Sequence, residues 1–297
     1  MQRPNPVSVA GLARLVPVGL GLAFGLWFVL TSPYKHAPLW PVWAPFLVAF
    51  TTAAGAVFPY GLDRWAELST DREVCVHVRD AVPRVTAIAA VALLGVVGST
   101  RPPVAPHSSW RHVALISFLI VGGVPAFGVM EGVRHATVDQ SAASTRGAQA
   151  AVLVSLRQLL QRLLAAVGSL VALSTLAVGS SVVLEQNLPA GTGDVGAARL
   201  PPQFVLVFGG LGSLLVALFY VPTATALQRR GQALCDELFP LREADEAPVI
   251  LSVAEDRHKL EQLLGVDRGV VADLQSGLAI LGPLLAGAAA AFLSPHA

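Results

Sequence analysis

Long apolar runs with almost no charge recur seven times along this chain, at 15–34, 39–60, 82–100, 113–130, 163–184, 203–228 and 274–293. A helix needs roughly 17 to 25 such residues to cross the hydrocarbon core of a bilayer, and a spanning segment must satisfy its backbone polar groups internally. The third run is the tightest, because Arg84 sits at its edge and has to snorkel toward the headgroups. Seven repeats at this length predict an all-α, polytopic transmembrane helical bundle, with 1–297 forming a single integral-membrane domain.

Composition closes the main alternative. With 54% hydrophobic and 13% charged residues, the chain has about half the charge of an ordinary soluble domain, too little to cover a soluble surface. The net charge of +1 is spread without a basic face or tail, so no nucleic acid is expected. The first run exceeds the apolar core of a signal peptide and lacks a small-x-small cleavage site, so it reads as a retained helix.

Direction follows from lysine and arginine, whose clusters stay cytoplasmic. Placing the N-terminus inside puts 16 of the 20 basic residues in inner segments, leaving Lys35, Arg101, Arg111 and Arg199 outside. The C-terminus is then outside, and the expected location is the cytoplasmic (inner) membrane, multi-pass. Trp27, Trp40, Trp43 and Trp110 fall at outer ends and Trp65 just past an inner end, as interfacial anchors would. Cys75 and Cys235 both face the reducing side in this threading, so a structural disulfide is not expected.

Outer connectors are short and rich in proline and glycine, at 32–38, 101–112 and 186–202. Inner connectors are longer and carry helical patterning, giving amphipathic cytoplasmic extensions. The most informative runs from Asp139 to Glu185 without a proline, beginning polar, becoming amphipathic through Leu153, Leu156, Leu160 and Leu163, and ending apolar. One helix could therefore start in water and finish across the membrane. Residues 229–268 read as a cytoplasmic helical hairpin insertion: Leu234 and Leu238 keep helical spacing up to Pro240, and Leu260, Leu263 and Leu264 give a second helix one apolar face. Ser252 and Glu255 match a capping box for that second helix, and Gly265 suits its C-terminal cap.

Because lipid supplies no hydrophobic drive between helices, stripes of small residues mark close packing. Candidate helix-packing positions are Gly168, Ala172, Thr175 and Gly179 in the fifth run, Gly209, Ser213 and Ala217 in the sixth, and Gly282 and Ala286 in the seventh. The first run adds Gly21 and Gly25. These stripes make runs five to seven the expected packed centre, and they leave room for a homo-oligomer. Pro45, Pro125, Pro222 and Pro283 lie inside runs as tolerated kinks.

The chemistry is defined by what is missing. No acid, lysine, arginine or histidine lies near the middle of any run, as proton relays and ion-coupled carriers require. A retinal Schiff base of the heliorhodopsin kind would need a lysine in the last run, whereas Lys35 and Lys259 are in connectors. The seven histidines are scattered over both sides without metal-ligand spacing, and Ser180 and Ser181 have no activating base nearby. No catalytic, cofactor-binding or metal-binding residue is therefore assigned, and no cofactor is expected.

Two functions remain. The first is a non-catalytic assembly, anchoring or signalling component, set in the lipid bilayer and docking a cytoplasmic or membrane protein partner. Its candidate partner-docking residues are Leu234, Leu238, Leu260, Leu263 and Leu264. The alternative is a channel or passive carrier for ions or small solutes, lined by Thr51, Thr52, Ser174, Thr175, Ser180, Ser181, Thr223, Thr225 and Ser276.

Overall fold

In the computed structural model, residues 6–32, 35–37, 39–70, 84, 87, 106–139, 145–186, 203–240 and 247–266 are described. Six helices lie in these residues: α1 Pro6–Leu30, α2 Trp40–Thr70, α3 Pro106–Asp139, α4 Arg146–Gln186, α5 Gln203–Leu238 and α6 Ala247–Leu264. No strand occurs among the described residues. Four helices are long and apolar enough to cross a membrane, within Trp40–Leu68, Ala114–Thr137, Arg146–Leu184 and Phe208–Leu238, and Leu15–Leu30 is a shorter apolar helix. These four candidate spans make the chain a multi-pass membrane protein by length and composition. The runs at 82–100 and 274–293 lie outside the described residues, apart from Arg84 and Ala87, so Gly282, Ala286, Pro283 and Ser276 have no structural account.

Several helices outrun their apolar cores. α4 is an unbroken 41-residue rod, about 60 Å at 1.5 Å per residue, twice the thickness of a hydrocarbon core. It begins at Arg146, so Asp139 belongs to the end of α3 and not to this rod. α3 begins at Pro106, which places His107 to His112 on its first turns and not in a connector. Proline explains several starts: Pro6, Pro41, Pro106 and Pro248 all fall in a first turn, where the missing N–H would have had no partner. Pro45, Pro59, Pro125 and Pro222 stay inside continuous helices.

The contacts fix relative direction. α1 runs antiparallel to α2, because Gly21 and Gly25 face Thr51 while Gly55 faces Pro17. α2 and α3 run the same way: Ala54 meets Gly122, Gly61 meets Pro125 and Ala126, and Trp65 meets Gly128. α3 and α5 are also parallel, with Phe127 on Phe219 at 4.9 Å between ring centres and the Thr223 hydroxyl 3.1 Å from the Met130 carbonyl. α4 is antiparallel to α5, pairing Val171 with Gly212 and Gly179 with Val205. These directions gather the charged ends of α2, α3, α4 and α5 at one end of the bundle, the polar end.

The closest backbone approaches lie among α1, α2 and α3. A Cβ added at Gly21 or Gly55 would collide with a backbone carbonyl oxygen across the interface, and one at Gly61 would stand 2.7 Å from the Ala126 nitrogen. Such contacts bring lipid-embedded helices near enough for dispersion to hold them. The core between α2, α3, α4 and α5 is filled by Leu47, Phe50, Met130, Leu160, Leu163, Leu170 and Tyr220, all fully buried.

Candidate functional site at the polar end

α6 folds back along α5 and closes on α4. Gly231 of α5 lies under Val266 and Leu264, and the Arg257 guanidinium reaches Asp236 at 2.7 Å while bonding Glu261 one turn along its own helix at 2.8 Å. Those partners, Glu261 first, then Asp236, outweigh partial burial and raise the Arg257 pKa further above its ordinary value. Arg146 at the start of α4 reaches Glu237 at 3.3 Å. Half-exposed ion pairs contribute about 0 to 1 kcal/mol each, whereas a leucine taken from water contributes about 1.5 to 3 kcal/mol. Leu156, Leu234 and Leu264, all buried, therefore hold this clasp together, and the charges set its register.

The end of α6 is built by a specific cap. Gly265 has φ +64°, the Val266 N–H donates to the Glu261 carbonyl at 2.8 Å, and the Gly265 N–H donates to the Gln262 carbonyl at 3.0 Å. This is the Schellman pattern, and the left-handed conformation it needs suits glycine. The expected role of Gly265 is thus observed. The start of α6 differs from expectation: it lies at Ala247, so Ser252 is interior and no capping box forms there. Pro248 in the first turn allows the earlier start, and Glu255 instead pairs with Lys259 at 2.9 Å.

Arg157 joins the two halves. Its Nη1 donates to the Leu264 carbonyl at 2.9 Å and to the Gly265 carbonyl, placing a positive charge on the last carbonyls of α6, where the helix dipole is negative. The Gln228 amide reaches the Val266 carbonyl at 3.5 Å. Beneath this contact is a cavity of about 30 Å³ against Leu153, Leu160, Tyr220 and Gly231. Beside it, between α4 and α6, opens a cleft of about 410 Å³.

The proposed docking leucines divide sharply. Leu234 is 1% exposed and Leu264 is buried, both covered by the chain's own helices, so neither can meet a partner while the clasp is closed. Leu238 and Leu260 are half-buried against the same core. Leu263 is 66% exposed, and at the far end of α6 Leu251 is 72% exposed beside Ile250, two positions that the sequence reading passed over.

The small-residue stripe of α4 is inward: Ala172 and Thr175 are buried, Gly168 and Gly179 half-buried, and Gly179 faces Val205. In α5, Gly209 is buried while Ser213 and Ala217 are half-buried. The close approach to α4 is made by Gly212, where an added Cβ would be 2.8 Å from Val171. Gly212, Gly55, Gly61, Gly122 and Gly128 stand outside the stripes chosen from spacing, because their partners are distant in sequence.

A buried carboxylate also escaped notice. Glu131 follows the fourth run by one residue, yet it falls inside the candidate span Ala114–Thr137 and is 5% exposed. Arg84 bonds it at 2.8 Å, with Arg134 at 3.6 Å and His135 at 3.4 Å. Arg84 therefore reaches a buried acid at the polar end. Trp43 is buried and Trp40 half-buried against the core, and neither indole N–H has a partner among the described residues.

Among the described residues, the hydroxyls considered for a polar path bond their own helices. Thr51 donates to the Leu47 or Val48 carbonyl, Thr52 to Val48, Ser174 and Thr175 to Val171, Ser180 to Leu176, Ser181 to Val178, and Thr225 to Val221. The Thr223 hydroxyl has two carbonyls in reach for its one proton, Phe219 on its own helix at 2.8 Å and Met130 across the interface at 3.1 Å. Among the described residues no three His, Cys, Asp or Glu side chains are grouped to hold a metal ion, and Cys235 is a buried free thiol. Compared with family models, curated proteins and solved structures, the chain matches none.

Proposed function

We propose that this chain is a non-catalytic protein of the cytoplasmic membrane that acts as an assembly, anchoring or signalling component, docking a protein partner on its polar end. The observation that carries the reading is the clasp itself: α4 and α5 continue far beyond their apolar cores and are bridged by α6 into one platform. From that platform Ile250, Leu251 and Leu263 project into solvent. Hydroxyls bonded to their own backbones favour this over conduction, since a polar path needs groups that point into it.

The seven-span threading belongs to the same proposal, with the polar end and N-terminus cytoplasmic and the C-terminus outside. Parallel α2 and α3 support it: the chain leaves α2 at one end of the bundle and enters α3 at the other, and the run 82–100 is long enough to return it. Parallel α3 and α5, with antiparallel α4 between them in sequence, follow the same alternation. The basic residues of the polar end set its side.

Photo-crosslinking in cells tests the reading, with probes at Leu251 and Leu263 and a control probe at Leu214, an exposed position on the apolar part of α5. A discrete protein adduct from the platform positions, absent from Leu214, is expected. An adduct of twice the chain mass identifies a second copy as the partner. Purified protein that carries ions or small solutes across vesicles faster than empty vesicles do would overturn the proposal in favour of a channel.

A further inference from the structure

The grip of α6 on the bundle is uneven. Leu264 and Val266 at its end are buried and Leu260 is half-buried against the core, whereas every side chain from Ile250 to Asp256 is exposed or half-buried. Arg157 holds the last carbonyls of the helix, and Arg257 reaches across to Asp236, whose side chain is 64% exposed. The fastening therefore lies between Arg257 and Val266. What this end covers is apolar: Leu264 and Val266 sit over a groove between α4 and α5 walled by Leu153, Leu160 and Leu227, and a void of about 30 Å³ remains there. Incomplete filling forfeits dispersion contacts, so withdrawing these two side chains costs less than withdrawing close-packed ones.

The bundle has another foundation. Its glycine contacts join α1, α2 and α3, and the Phe127 and Phe219 rings join α3 to α5, without a residue of α6. α6 can therefore leave as a local opening of lower free energy than unfolding of the whole chain. The segment now seated in the groove defines what else fits it: the leucine-bearing C-terminal end of an amphipathic helix, its last carbonyls on Arg157. We infer that α6 is a lid, displaced by a protein partner that lays such a helix end of its own into the groove. The inference rests on the docking reading above and adds its regulation. A partner that binds the open form more tightly than the closed one draws the population toward it, so the groove is covered at rest and opens with docking.

Cys235 reports the lid directly. It is fully buried and lies one turn from Gly231, on the face of α5 that Val266 covers. In the full chain carrying Cys75→Ser, in phosphatidylcholine nanodiscs with no partner present, its alkylation by N-ethylmaleimide is followed over time. Leu264→Ala withdraws the covering side chain while leaving the groove and Arg157 intact, and is expected to speed alkylation by about tenfold or more. Lys259→Gln, whose partners Glu255 and Asp256 are on α6 itself, is expected to leave the rate unchanged. Hydrogen exchange in α2 and α3 stays as in the parent chain, which separates lid opening from unfolding. In cells, a photo-crosslinking probe at Gln161, exposed at the rim of the groove, is expected to give a protein adduct several-fold stronger in Leu264→Ala than in the parent. Alkylation that does not change, or that rises only together with exchange in α2 and α3, overturns the lid. An adduct at Gln161 of unchanged yield, or one with lipid, also overturns the inference, while a protein adduct at Leu251 leaves the docking reading standing. Loss of protein adducts at both positions sinks the two together.

Discussion

The two halves of this molecule are held by different forces. In α1, α2 and α3, glycines let backbones touch: Gly21 and Gly25 on Thr51, Gly55 on Pro17, Gly61 on Ala126. In the α4, α5 and α6 clasp, leucines are buried, ion pairs bridge helices and a capped helix end receives an arginine. The difference teaches what the solvent does. Where lipid surrounds a helix, burying leucine gains little, so close approach and dispersion must hold the pair. Where water surrounds it, the same leucine contributes about 1.5 to 3 kcal/mol and small residues are no longer required.

That contrast can be broken most forcefully at glycine. Gly55→Ala sets a methyl against the Pro17 carbonyl, which is backbone and cannot swing away, so a loss of about 3 kcal/mol or more is expected. Gly231→Ala in the clasp meets only the end of the Val266 side chain, which can rotate, and should cost about 1 kcal/mol. Thermal unfolding in detergent compares them, and equal losses would erase the distinction. Next in size, Glu131→Gln leaves Arg84 and Arg134 without their shared anion and should cost about 1 to 3 kcal/mol. Because Arg84 is more than half exposed, the lower part of that range is expected.

The clasp should fail locally before the bundle does. Arg157→Gln removes a charge-assisted bond to the end of α6 and should cost about 1 to 2 kcal/mol, seen as faster hydrogen exchange over 247–264 with little change in α1 and α2. Gly265→Ala forces a side chain into the left-handed region and should cost about 1 kcal/mol in the same segment. The smallest effect is at Glu255, whose carboxyl is held below its ordinary value by the hydrogen bond and charge of Lys259. A depressed carboxyl contributes stability above its unfolded value, about 4.3, and loses it as pH falls through the folded value. The pair is fully solvated, so the melting temperature should not move measurably. An NMR titration should instead show the Glu255 carboxyl returning toward its ordinary value in Lys259→Gln.

Legibility varied with the range of the interaction. The proline-free rod, the extensions past Tyr60 and Gln228, and the Gly265 cap were readable because helix length, periodicity and capping are local. The Ser252 capping box misled for the same reason: a local pattern was available, but Pro248 allowed an earlier start. Leu234 and Leu264 looked like a surface for another protein, since periodicity shows that an apolar face needs a cover and not whose cover it is. Glu131 stands one residue past the run 113–130, and only the placement of Arg84, 47 residues away, pairs that buried carboxylate with a cation.

By itself the sequence determined that this is a helical chain with segments long and apolar enough to cross a membrane, which helices outrun their apolar runs, and where one of them ends. Those properties are sums over neighbouring residues, set by side-chain hydropathy and backbone hydrogen bonding within a few turns. Only the tertiary structure decided which glycines touch, which leucines are consumed internally, and that α6 closes on Arg157. Those outcomes depend on the direction and rotation of helices far apart in sequence, and hydropathy carries no record of either.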